Sequence, residues 1–224
     1  MVIVVFVLGL IMMMSMGFFV ESLKATFVSE QKNMINGDVR TLTAQLAEAA
    51  KEANFVVLYS SFSGEDRDAV ADRLLDGNSG DFLVFGFQGK PDLETPMNAP
   101  GPISRVIGYY RAPEDPNDDD SMGPVRFFDS DLDHSSYAAS GEPLLGPIEN
   151  ALDPPTLEEI LTSLYPASKS SQNKEVVEMS EGLANHRLFY NFGKSTIMVN
   201  GKIIHGNEAK RVTDTYNFTI STRR

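Results

Sequence analysis

The sequence predicts an α+β fold in which a long N-terminal helix, transmembrane and then amphipathic, packs on an antiparallel β-sheet. Three observations predict it: an uncharged apolar run at the start of the chain, an apolar stripe at helical spacing directly after it, and short β-branched and aromatic runs separated by loops rich in Pro, Gly and Asp. At 224 residues the chain has room for an anchor and one folded domain. It divides into an anchor at 1–20, an amphipathic continuation at 21–54 and a β-rich soluble domain at 55–224.

The first element, MVIVVFVLGLIMMMSMGFFV, holds no charged residue, and Ser15 is its one polar side chain. About 20 helical residues at 1.5 Å each cross the roughly 30 Å hydrocarbon layer of a bilayer. A buried core helix can also be apolar all round, but such a segment at a chain terminus fits an anchor or a signal better. A cleaved secretory signal needs a basic flank ahead of a shorter apolar core and small residues at the cut, and none of these is clean here. Lys24 and Lys32 follow the run, so charge bias alone would leave the rest of the chain in the cytoplasm.

Beyond Glu21 there is no Pro through Lys90, and Gly37 is the single Gly before Gly64. Ile35, Val39, Leu42, Leu46, Ala49 and Ala53 recur at steps of three and four, which lays them on one helical face. Asp38, Arg40, Gln45, Glu48, Lys51 and Glu52 form the polar face. The spacing predicts one helix from the anchor to near Asn54, roughly 80 Å long. A coiled-coil stalk would continue the stripe as heptads. Instead FVVLYSSF, at 55–62, is strand-like, so the stripe is expected to dock on a sheet of its own chain. Gly9, Gly17 and Gly37 would let helices bend or pack closely, although scattered glycine in an anchor accounts for them equally well.

In the soluble part, a short helix is expected over 66–75, with Val70, Ala71, Leu74 and Leu75 inward and Gly77-Asn78 closing it. DFLVFGF (81–87), SRVIGYYR (104–111) and PVRFFD (124–129) read as strands of an antiparallel meander with long connections. Thr156 and Glu159 are spaced as a capping box and open a short helix ending before Pro166, with no role beyond the cap. The segment 129–180 reads as a surface excursion. RLFYNF (187–192), STIMVNGKIIHGN (195–207) and YNFTISTR (216–223) supply three more strands, and Asn200-Gly201 is the strongest hairpin signal in the chain.

With its glycine at Gly9, MVIVVFVLGLI resembles the hydrophobic stretch of type IV prepilins, which commonly reads Leu-Met-Ile-Val-Val-Ala-Ile-Ile-Gly-Ile-Leu; apolar residues match from Met1 to Ile11. GDVRTLTAQLAEAAKEANFVVLYSSF resembles the spine of large minor pilins and of type II secretion pseudopilins, where a helix rich in small residues and Arg gives way to the first strand. On this alignment Met1 falls just after the glutamate of the family's Gly-Phe-Thr-Leu-x-Glu cleavage motif, so the leader and the motif are missing, through a misplaced start codon or real loss. The resemblance implies a fibre subunit held in the inner membrane by a single pass, its domain periplasmic or displayed on the fibre. Its implied partners are membrane lipid, other pilin-like subunits and their assembly machinery. Val2, Val5, Gly9, Met13, Gly17 and Phe18 then serve membrane storage and fibre packing. Large size and irregular loops point to a minor subunit. The alternative is a single-pass anchored extracytoplasmic binding or sensor domain, with its pocket in the strand-rich region.

Other chemistry is sparse. The absence of cysteine rules out disulfides, thiolate metal sites and a cysteine nucleophile. A net charge of −12 opposes nucleic-acid binding. His134, His186 and His205 are far apart, and no Gly-x-Ser-x-Gly, phosphate loop or zinc helix occurs, so no enzyme activity is expected. Asp129, Asp131 and Asp133 alternate in DSDLDHSS, a spacing of oxygen ligands that suits calcium, and some pseudopilins carry a calcium loop. However, His134 and Ser140 stand where the usual loop has Gly and Glu. No other cofactor is expected. The acidic run at 118–120 reads as a solvated loop.

Overall fold

The computed structural model describes residues 2–89, 103–115, 118, 121–132, 156–193, 195–207 and 210–222. α1 (Val2–Glu52) is one unbroken helix of 51 residues, about 77 Å long at 1.5 Å per residue. It continues to Ala53, whose N–H donates to Ala49 O at 2.9 Å, and the chain then turns straight into the sheet. Asn54 makes the corner: its N–H donates to Gly86 O at 2.9 Å, and its Oδ1 accepts from Gln88 N at 2.7 Å.

The strands are β1 (Phe55–Tyr59), β2 (Ser79–Gly80), β3 (Phe82–Gln88), β4 (Ile103–Arg111), β5 (Gly123–Asp131), β6 (Lys174–Gly182), β7 (Phe189–Gly193), β8 (Thr196–Asn207) and β9 (Lys210–Ser221), with α2 (Leu157–Leu164) between β5 and β6. Among the described residues they form one antiparallel sheet in the order β1-β3-β4-β5-β6-β8-β7-β2, and β9 pairs β8 along all twelve residues. The other edge of β8 is shared: 196–199 pair with β7, and 201–203 pair with β6.

Two cores form because the sheet is covered on both faces. In β3, Leu83, Phe85 and Phe87 pack beneath α1, while Phe82 and Val84 point to the opposite side, beneath α2. β4 repeats the alternation, with Ile107 and Tyr109 under α1 and Val106 and Tyr110 under α2. A strand buried on both faces reads as a continuous apolar run, and FLVFGF in β3 is one.

Several expectations need correction. The 66–75 segment is not an α-helix: it forms two 3₁₀ turns, Gly64–Asp66 and Val70–Asp72, with Val70 and Leu75 exposed. Its backbone bonds to the sheet instead, with Leu74 N donating to Leu58 O at 2.8 Å. Asn200-Gly201 is not a hairpin but the middle of β8. Gly201 is there for space, since a Cβ would lie 2.5 Å from the Tyr216 hydroxyl on β9. The segment 129–180 is not wholly a surface excursion: α2 and most of β6 lie in it, and Val177 is fully buried. α2 does begin with the expected box, Thr156 with Glu159, yet it does more than cap: it buries Leu157, Ile160 and Leu161 against the sheet.

Candidate functional site

α1 is two helices in its environment, if one in its geometry. Every described side chain from 3 to 26 is exposed. An 18-residue stretch of this helix has a mean hydropathy of 2.7 with none of it buried, and the helix is long and apolar enough to cross a membrane. Val2 opens the helix; Val5, Met13 and Phe18 are bare, and Gly9 and Gly17 border open space. Water is a poor solvent for so long an apolar cylinder, which points to lipid or protein around it.

The second half is the docking face. Ile35, Leu42, Leu46, Ala49 and Ala53 are buried, and Val39 is half-buried against the same core. The spacing argument passed over Ala50, which is also buried, and Phe27, which packs on the edge of that core. Small residues at 49, 50 and 53 suit the end of the helix, where the chain must turn into β1. Asp38, assigned to the polar face, lies half-buried beside the sheet instead, with its Oδ2 2.9 Å from His205 Nε2 on β8. His205 is buried, and its Nδ1 lies 3.3 Å from Glu178 Oε2 on β6. Nothing in the sequence marked this histidine, because both carboxylates come from distant elements.

Two further polar joints hold the domain together. Asp81, fully buried, accepts from Arg111 Nε and Nη2 at 3.0 and 2.8 Å, from Arg187 Nη1 at 3.0 Å and from Leu188 N at 2.9 Å. On the other face, Glu158 of α2 takes both Nε and Nη2 of Arg73 at 2.6 and 2.9 Å and the Tyr59 hydroxyl at 2.8 Å. Burial pushes the Glu158 carboxyl up, but the Arg73 and Tyr59 hydrogen bonds pull it down further, so it ends below its ordinary value. Burial and the same carboxylate raise the Tyr59 hydroxyl. Arg67, stacked 4.2 Å from the centre of the Phe62 ring, donates to the Leu161 and Tyr165 carbonyls at the C-terminal end of α2; burial lowers it to about 10, so it stays charged at neutral pH. These groups fasten α2 and the 61–74 connection to the sheet.

Of the candidate calcium ligands, Asp129 is paired with Arg105 at 2.6 Å and Asp131 with the same guanidinium at 3.5 Å, while Asp133 lies outside the described residues. The single Arg105 guanidinium thus lies against both described carboxylates, closely against Asp129 and loosely against the exposed Asp131. Among the described residues no cluster of three His, Cys, Asp or Glu side chains is arranged to hold a metal ion. His186 offers its carbonyl to Arg111 at 2.9 Å, and His134 lies outside the described residues. A cleft of about 410 Å³ opens beside β1, lined by Val56, Val57, Arg73, Asp76, Asn191 and Ile197 among others.

No family model, no curated protein and no solved structure matches the chain.

Proposed function

We propose that the protein is a structural subunit of a helical fibre of the type IV pilus or type II secretion pseudopilus kind, and a minor subunit of it. The observation that carries this reading is the division of labour along α1: a bare apolar half and a buried half within one unbroken helix, the latter leading directly into an antiparallel sheet. In such a subunit the half at 1–20 waits in the inner membrane and then packs among the same halves of other subunits, and the domain stands in the periplasm or outside. The work is assembly rather than turnover, and the polar joints of the domain serve its rigidity.

The reading frame upstream of the Met1 codon provides the first test. A basic leader ending in a Gly-Phe-Thr-Leu-x-Glu-like motif directly before Met1 supports the fibre reading. An in-frame stop without that motif removes ordinary prepilin processing. The second test is direct: cysteines introduced at Met13 and Phe18 in cells should give a cross-linked ladder of this chain in sheared or membrane-bound fibres. A monomer at every dose of cross-linker favours the second reading, an anchored extracytoplasmic binding domain, for which the cleft beside β1 is the supporting observation.

A further inference from the structure

We propose that His205 is a pH-sensitive clasp that sets the direction in which α1 leaves the domain. Its imidazole sits between carboxylates from two other elements, 2.9 Å from Asp38 on α1 and 3.3 Å from Glu178 on β6. From β9, Val212 is its direct cross-strand neighbour, and Asp214, exposed, is next on the same side of that strand. Lys202 of β8 and Glu181 of β6, further along, pair with each other at 3.0 Å. The α1 residues flanking Asp38 on the docking face, Ile35, Val39 and Leu42, are apolar.

The clasp is placed where α1 begins to dock. Ile35 is the first fully buried residue of the helix, and Asp38 lies one turn beyond it. Gly37, beside Asp38, has nothing within 4 Å of where a Cβ would be, and Thr41 Oγ1 donates to its carbonyl at 2.9 Å. A glycine within a helix, with a hydroxyl bonded into the turn, is where a helix bends most readily. The polar fastening therefore sits next to a position that resists bending weakly.

The chemistry gives the clasp a sign. An imidazolium has an N–H on both nitrogens and donates to both carboxylates, whereas the neutral ring has one N–H and turns a lone pair toward the other. On deprotonation the shorter, better-covered contact to Asp38 persists without its charge, and Glu178, whose side chain is 70% exposed, is released to water. The clasp is closed while the imidazole holds its second proton between the two carboxylates and loosens once that proton is lost.

The chain has no cysteine, so two introduced ones carry spin labels without interference. Glu30→Cys, on the bare part of α1, and Thr215→Cys, on the exposed side of β9, report the helix direction as a distance distribution in the full chain in lipid nanodiscs. A distribution that is narrow at pH 5.5 and broad at pH 8, becoming broad at both in His205→Gln, is the expected result. A distribution unchanged between the two pH values, or a pH response that survives His205→Gln, overturns the clasp. Should His205→Gln fail to fold, the exposed Glu178→Gln decides: a broad distribution at pH 5.5 supports the clasp, and a narrow one overturns it.

Discussion

Asp81 shows how single residues hold this domain. With four donors around one buried carboxylate, removing it leaves the Arg111 guanidinium in the interior without its counter-charge, held by backbone carbonyls. Breaking a buried pair in this way costs about 3–5 kcal/mol, so Asp81→Ala is expected to lower the urea midpoint strongly, measured by tyrosine fluorescence, as the chain has no Trp. Glu158 gives a pH dependence with a defined sign. Its carboxyl is depressed in the fold, so its contribution is fully present above the ordinary carboxylate value of about 4.3 and is lost as pH falls through its lower folded value. The urea midpoint of the native chain is expected to fall on acidification below about pH 4, and the difference between it and Glu158→Gln to shrink over the same range. Gly108 is constrained by packing: a Cβ there would lie 2.2 Å from the Phe128 ring. Gly108→Ala is expected to cost about 1–3 kcal/mol by overpacking, seen in the same measurement.

At the scale of elements, the docking of α1 rests on its buried aliphatic residues. Leu42 and Leu46 are completely enclosed between helix and sheet. Truncating a buried leucine to alanine costs about 2–5 kcal/mol, so Leu46→Ala is expected to increase amide hydrogen exchange in residues 35–53 before it affects β3 and β4. If all elements exchange together, the helix and sheet unfold as one unit. The pattern of α1 was readable because its stripe has a period that only a helix satisfies. Asn200-Gly201 shows the reverse. The dipeptide suits a tight turn in isolation, but in β8 each of the two residues pairs with β9, and the glycine makes room for Tyr216. Likewise 66–75 has helical spacing yet gives its backbone to β1, because Arg67 and Arg73 are drawn to α2, which comes some ninety residues later in the chain.

For the whole molecule, the contrast between the two halves of α1 decides behaviour in solution. The complete chain is expected to float with liposomes, and a chain beginning at residue 21 to remain in the aqueous fraction with its sheet intact, as judged by circular dichroism. Flotation of the shortened chain would place membrane affinity in the domain instead. The domain's acidity, within a total net charge of −12, makes a second attachment to anionic lipid unfavourable.

The sequence by itself determined an apolar helix long enough to cross a membrane, its unbroken continuation, its docking face and the class of sheet beneath it. These depend on composition and short-range periodicity, which are local properties of the chain. Only the tertiary structure decided that α2 covers the second face, that β8 runs through Asn200-Gly201, and that His205, Asp81 and Glu158 meet their partners. Those contacts join residues from 27 positions apart, His205 with Glu178, to 167 apart, His205 with Asp38. No local pattern records such a pairing, because its energy exists only once the intervening chain has folded and excluded water from both groups.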